Sequence, residues 1–220
     1  MKSIIYYTSN SIEEPIFSKV QGQILKSGLP IVSCSLKPIN FGRNIVLDLE
    51  PSVTTMTKQI LAALKASEAG AVFFCEHDVL YHPSHFEFSP QKNDIFYYNT
   101  NVWRWDYSSN RVITYDHFRS LSGLCVSREK AIKHYEKRLK LIHENGWDKL
   151  PGKNPNWARR IGYEPSKKTG EIAEEWRSVY PNIDIRHKKT LTPTKMTLES
   201  FIHKPTGWKE STIDQIWKEN

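Results

Sequence analysis

The sequence predicts an α/β domain built on a largely parallel sheet, and three observations carry that expectation. Apolar strand candidates and amphipathic helix candidates alternate through the first 80 residues. The run 71–75 is apolar without alternation, which suits a strand buried on both faces of a sheet. The chain has 220 residues, of which 39% are hydrophobic and 25% charged, enough to enclose such a core without approaching a disordered composition.

Residues 4–7 form the first strand candidate, closed by the polar Thr8-Ser9-Asn10-Ser11. A helix is expected over 16–26, because Ile16, Val20 and Ile24 recur every fourth residue on one face, and Gly28 stops it. Strands follow at 30–35 and 44–49, separated by the loop Pro38-Ile39-Asn40-Phe41-Gly42. The clearest helix is 54–67, with Met56, Ile60, Ala63 and Leu64 on one face, Ser52 or Thr54 as its cap and Gly70 as its stop. After the buried strand at 71–75 the pattern changes. Short strands at 95–98 and 112–115 flank an aromatic loop, Trp103-Arg104-Trp105. Residues 125–141 read as a helix, 146–168 as a long irregular insertion, 172–179 as a short helix and 183–186 as a strand.

Composition excludes several classes. No apolar run approaches the roughly 20 residues of a membrane helix. The amino-terminal run is short and reads as a strand, not as a signal peptide. Cys34, Cys75 and Cys125 are odd in number and lie in apolar contexts, which predicts reduced core thiols in a cytoplasmic protein.

The net charge of +7 is concentrated. Residues 1–80 carry seven bases and seven acids, whereas 130–168 carry eleven bases and four acids, so that stretch alone equals the whole excess. Lys153, Arg159 and Arg160 lie within it, beside Trp147, Trp157 and Tyr163. Bases interleaved with aromatics suit a nucleic-acid surface, where cations displace phosphate counterions and rings stack on bases. A solvated helix face followed by a basic loop is the plainer reading.

In open α/β sheets ligands bind at the carboxyl ends of the strands. Three segments place polar groups there: Thr8-Ser9-Asn10, residues 37–43, and Glu76-His77-Asp78. Two acids flanking one residue after a buried strand suit Mg²⁺ or Mn²⁺ bridging a diphosphate. The simpler alternative has Asp78 capping a turn and Glu76 pairing with a lysine. His77, His82 and His85 are close enough in sequence to raise a zinc site, but Pro83 places them in a loop.

This order of elements resembles the GT-A glycosyltransferases, whose acid-x-acid motif holds a divalent metal against the diphosphate of a sugar nucleotide. Here the motif stands as Glu76-His77-Asp78, with Glu in place of the first Asp. More of the chain is similar to small phage and bacterial GT-A proteins associated with glycosylating modified DNA bases. The stretches that carry the likeness are Leu29-Pro30-Ile31-Val32-Ser33, Lys37-Pro38-Ile39-Asn40-Phe41-Gly42, Glu76-His77-Asp78-Val79-Leu80-Tyr81, Phe96-Tyr97-Tyr98-Asn99-Thr100-Asn101-Val102-Trp103 and Pro181-Asn182-Ile183-Asp184-Ile185-Arg186-His187.

The resemblance implies one GT-A-like domain over 1–190, with a sugar-nucleotide half (1–80), an acceptor half (95–190) containing the basic insertion 130–168, and an extension over 191–220. It implies His187 as a late metal ligand beside Asp78 and Glu76. Tyr7, Thr8, Ser9 and Asn10 would hydrogen-bond the nucleotide, with Lys37 and Arg43 on its phosphates. Glu174 and Glu175 are the first candidates for the catalytic carboxylate, followed by Asp106 and Asp116. Ser122-Gly123-Leu124 reads either as a sugar-facing turn or as a plain helix start. Trp103, Arg104 and Trp105 would stack on a sugar or flipped base, or else form an alternating strand.

The expected activity is therefore metal-dependent hexosyl transfer from a UDP-sugar, with Mn²⁺ or Mg²⁺, to 5-hydroxymethylpyrimidine in DNA. The rivals are a saccharide or lipid-linked acceptor, a catalytically inactive nucleic-acid-binding module on the same scaffold, and a metal-dependent nuclease.

Overall fold

The computed structural model describes residues 1–115, 119–149, 165, 170–188, 194–201 and 207–218. The first half runs β1 (Lys2–Thr8), α1 (Ile16–Leu25), β2 (Ile31–Ser35), β3 (Arg43–Val46), α2 (Val53–Ala66), β4 (Ala71–Glu76) and β5 (Val79–Leu80). The second half runs β6 (Phe96–Asn99), β7 (Val102–Asp106), β8 (Arg111–Thr114), β9 (Leu124–Ser127), α3 (Arg128–Glu144), β10 (Ala173–Trp176), β11 (Asn182–Arg186) and β12 (Glu210–Thr212).

Seven strands form the main sheet in the order β10-β6-β9-β4-β1-β2-β3. All share one direction except β9, which runs antiparallel to both β4 and β6. The mostly parallel sheet expected from the sequence is thus present. A second sheet, ordered β12-β8-β7-β11-β5, packs against one face of the first.

Strand alternation divides the core between the two faces of the main sheet. Ile4 and Tyr6 of β1, with Phe73 and Cys75 of β4, join α1 and the small sheet in one apolar layer. Ile5, Tyr7, Val72 and Phe74 point the other way, against α2 and the α3 side chains Ala131 and Tyr135. Phe73 and Phe74 are both fully buried, which explains the lack of alternation in this run; each contributes roughly 2–3 kcal/mol by burial. α1 buries Ile16, Val20 and Ile24, the three positions its spacing indicated. α2 begins at Ser52, whose side chain accepts a hydrogen bond from the Thr55 amide.

The connection from β2 to β3 crosses back without a helix. Phe41 anchors it, buried with its ring 4.8 Å from that of Tyr6. Gly42 has a φ of +63°, and a Cβ there would run into the backbone and side chain of Ile31. No other residue fits both demands.

Three expectations require correction. The aromatic segment at 103–105 is not a loop: it lies in β7, whose alternation puts Trp105 in the core. Residues 125–127 extend β9, and α3 starts only at Arg128 behind the Ser127 cap, which accepts from the Lys130 amide. The segment around 172–179 is not helical; Ala173–Trp176 pairs with β6 as an edge strand. Its register satisfies the β6 backbone, and that tertiary pairing outweighs helix propensity. Beyond residue 190, β12 pairs with β8, and Ile213, Ile216 and Trp217 pack onto the first apolar layer. Cys34, Cys75 and Cys125 are free and buried. No helix among the described residues is long and apolar enough to cross a membrane.

Candidate functional site

The loops after β1, β2 and β4 meet at the carboxyl edge of the main sheet, and short hydrogen bonds tie them together. Asn10, with φ of +57°, turns its side chain to the β2 loop. Its Oδ1 accepts from the Leu36 amide at 2.8 Å and the Lys37 amide at 2.9 Å. Its Nδ2 donates to the Lys37 carbonyl at 3.2 Å. Asparagine tolerates the left-handed region because its short amide makes such local bonds. Thr8 is buried; its Oγ1 accepts from the Asn10 amide and lies 2.7 Å from Nδ1 of His77. Gln59 of α2 donates to the carbonyls of Thr8 and Cys34, closing the same corner from below.

The β4 turn then meets β11. The Ile185 amide donates to the Asp78 carbonyl at 2.8 Å, and Asp184 lies in register with Val79. This pairing carries His187 to Asp78, with Nε2 and Oδ2 3.8 Å apart. Burial tends to raise the Asp78 pKa, but the His187 contact and the nearby His77 hold it below the ordinary carboxylate value. Burial pushes His77 down and keeps it neutral, although Asp78 opposes the shift.

Glu76, the other acid of the motif, accepts a hydrogen bond from Tyr7 Oη at 2.8 Å. Its amide donates to Tyr81 Oη at 2.9 Å. Among the described residues no group of three or more His, Cys, Asp or Glu side chains is arranged to hold a metal. Asp78 and His187 offer one hard oxygen and one imidazole. That pair suits a Mg²⁺ or Mn²⁺ that takes its other positions from phosphate and water. The three histidines after β4 do not converge. His85 is fully buried, with Nδ1 accepting from Asn99 at 3.0 Å and Asn182 at 3.1 Å, and His82 packs at a tilt against Tyr180, ring centroids 4.3 Å apart.

Several residues singled out in the sequence lie elsewhere. Tyr7 is in the core, facing α2, so its side chain is not presented to a nucleotide. Ser9 is half-buried and bonds to Ser11, and Lys37 is exposed beside Asn10. Arg43 opens β3 and donates to the carbonyl of Ala66 at the end of α2. That is the amino edge of the parallel strands, opposite the Asp78 turn, because the β2–β3 crossover returns the chain before β3 begins.

Glu174 and Glu175 lie on edge strand β10, three strands from β4, and not on a helix returning to the cleft. Glu175 pairs with Arg119 at 2.7 Å. Asp106 closes its own turn, accepting from Ser108 and from Ser109. Burial works to raise its pKa, and these hydrogen bonds bring it below the usual value.

Arg104 and Trp105 are each 4% exposed, so neither offers a surface to a base. The Arg104 guanidinium lies 3.8 Å from the Tyr115 ring centroid and 3.5 Å from Asp184. Trp103 is half-buried. Gly123 is a packing glycine: a Cβ there would come within 2.7 Å of the Asn99 carbonyl oxygen. Asp116, Lys153, Arg159 and Arg160 lie outside the described residues.

Sequence reasoning did not single out Asp184. Burial raises its carboxyl pKa, opposed by Arg186 and Arg104 and reinforced by Asp78. The signal available was its place two residues into the apolar run that ends at His187.

No family model matches the sequence, and no curated protein matches it. The chain is similar in course to the bifunctional IspDF of Campylobacter jejuni, with 9% identity, a TM-score of 0.42 and coverage of 80% of this chain. It spans about half of that protein's length, 49%. It is also similar to a glycosyltransferase involved in glycosylating the major capsid of PBCV-1. That match has 12% identity, a TM-score of 0.44, and covers 79% of this chain and 81% of that one. A Drosophila galactosyltransferase variant solved with manganese, UDP-Gal and xylobiose matches with 12% identity and a TM-score of 0.36, covering 66% of this chain and 62% of that one. At these levels the likeness describes the course of the chain and nothing of its chemistry.

Proposed function

We propose that this chain is a metal-dependent glycosyltransferase that moves a hexose from a UDP-sugar to a hydroxyl acceptor. The observation that carries the reading is the meeting of Asp78 and His187, 3.8 Å apart at the carboxyl edge of a mostly parallel sheet. Beside them stand the polar loops held by Thr8 and Asn10. Asp78 and His187 would hold Mn²⁺ or Mg²⁺. The metal, when bound, stabilises charge developing on the leaving diphosphate. Asn10 shapes the loop that offers Lys37 to a phosphate, and Ser9 faces the same edge. Thr8 and His77 act by fixing the turn that carries Asp78.

The acceptor we favour is DNA carrying 5-hydroxymethylpyrimidine. Its support is the charge of 130–168, which equals the net +7 of the chain. A saccharide acceptor is the second reading, favoured by the burial of Arg104 and Trp105, which withdraws them from any stacking role.

The test is a transfer screen with UDP- and GDP-sugars and Mn²⁺, with and without duplex DNA containing 5-hydroxymethylcytosine or 5-hydroxymethyluracil. A hexose mass gain on the DNA, lost with EDTA, is the expected result. Donor turnover without a DNA adduct overturns the DNA acceptor and leaves the saccharide reading. No turnover of any donor overturns the enzyme. Charge reversal at Arg159 and Arg160 should flatten the salt dependence of DNA binding, and an unchanged slope would move the acceptor off the basic stretch.

A further inference from the structure

A cavity of about 400 Å³ opens between α1, β5, β7 and the segment after β12, and none of its residues belongs to the Asp78 site. Lys19 and Gly22 line it from α1, Lys26 from the carboxyl-terminal cap of that helix, Trp105 from β7, and Asp214 and Trp217 from the carboxyl-terminal segment. Its size lies in the range of small-molecule sites.

Two features of this cavity have no explanation in packing. Gly22 sits inside a ten-residue helix, where glycine costs about 0.5–1 kcal/mol against alanine. A Cβ at Gly22 would meet nothing within 4 Å, so no close approach requires the glycine; its missing side chain leaves the cavity open. Trp105 is 4% exposed, yet its Nε1–H has no hydrogen-bond partner among the described residues. Buried indole N–H groups ordinarily find an acceptor.

The charged groups around them make few contacts. Lys19 Nζ lies 5.9 Å from the Trp105 ring centroid. Among the described residues neither Lys19, Lys26 nor Asp214 takes part in a salt bridge. An indole N–H and a carboxylate receive hydroxyls, and two ammonium groups receive an anion.

We propose that this cavity binds an anionic monosaccharide, its hydroxyls on Trp105 and Asp214 and its anionic group held by Lys19 and Lys26. The site does not depend on donor chemistry, and its test contains no sugar nucleotide, so it stands or falls apart from the transfer reaction.

Calorimetric titration at low ionic strength with glucuronate, glucose 6-phosphate, glucose and inorganic phosphate is the experiment. One of the two anionic sugars should bind at least about tenfold more tightly than glucose and than inorganic phosphate. Whichever of the two binds identifies the anion as carboxylate or phosphate. Gly22→Leu should abolish the binding while retaining or raising the melting temperature, because leucine is the better helix former. Lys26→Gln, at an exposed position, should reduce the preference for the anionic sugar over glucose to within about twofold. The proposal is overturned if neither anionic sugar binds, if inorganic phosphate binds as tightly, or if both variants bind as the wild type does.

Discussion

The hydroxyl of Thr8 lies 2.7 Å from Nδ1 of His77, joining the end of the first strand to the turn that carries Asp78. Neither residue need touch a ligand for this bond to matter. Asn10 extends the same connection to Lys37, so three loops that would otherwise move separately share one hydrogen-bonded frame. Loops built this way hold a polar site within the tolerance that catalysis requires.

Asp78→Asn preserves shape and removes the charge. Metal-stimulated transfer should fall by at least about a hundredfold, with the circular dichroism spectrum unchanged. Full activity in the variant would take Asp78 out of the metal role.

His187→Ala should raise the Mn²⁺ concentration giving half-maximal activity by roughly tenfold or more while leaving some activity at saturation. An unaltered metal titration would show that His187 only accompanies Asp78.

Arg104→Ala should destabilise the protein by about 3 kcal/mol. It removes a guanidinium that faces Asp184 and the Tyr115 ring and leaves Asp184 without one of its two cationic neighbours. The measurement is the urea midpoint, with transfer assayed on the folded fraction. A stable variant with altered acceptor binding would return Arg104 to the surface role read from the sequence.

Two histidines set an acid limit on stability. Burial pushes His85 down to about 3. Burial, then the neighbouring Arg138, pushes His134 down to about 4 against the pull of Glu171. Both remain neutral in the fold while the unfolded chain takes up a proton near its ordinary value of about 6.5. Their contribution is complete above that pH and is lost as the pH falls toward 4 and then 3. Each can add a slope of up to about 1.4 kcal/mol per pH unit in that window. Urea midpoints between pH 4 and 7 should show the loss, and His134→Gln should flatten it. An unchanged slope in the variant would mean that His134 is charged in the fold.

Periodicity revealed α1 through Ile16, Val20 and Ile24, and the unbroken apolar run revealed β4, because those signals are local. The small sheet was less legible. β5 is two residues long, and β12 acquires its structure only by pairing with β8. At 172–179 and 125–127 the sequence suited a helix, but each segment lies beside an open strand edge that gains hydrogen bonds only from an extended partner.

The same holds at the site. Asp78 and His187 were nominated from one motif and one resemblance, and their proximity follows from β11 adding to β5. Glu174 and Glu175 lie three strands from β4 because the segment expected as a cleft-ward helix is an edge strand. Arg43 lies at the opposite edge because the Gly42 turn had already brought the chain back before β3 begins. Side-chain type is legible in a sequence, whereas the edge of the sheet on which it lands depends on strand direction.

The antiparallel pairing of β11 with β5 also bears on how the protein is made. The turn carrying Asp78 leaves the ribosome long before the strand that brings His187, and everything from β6 to β10 intervenes. The two half-sites must wait for that closure, the slow kind of contact in folding. A nascent chain halted before β11 would have the first sheet's early strands available and no assembled site. Activity should therefore appear only after residue 187 has been released, making it a reporter for the closure of β11 on β5.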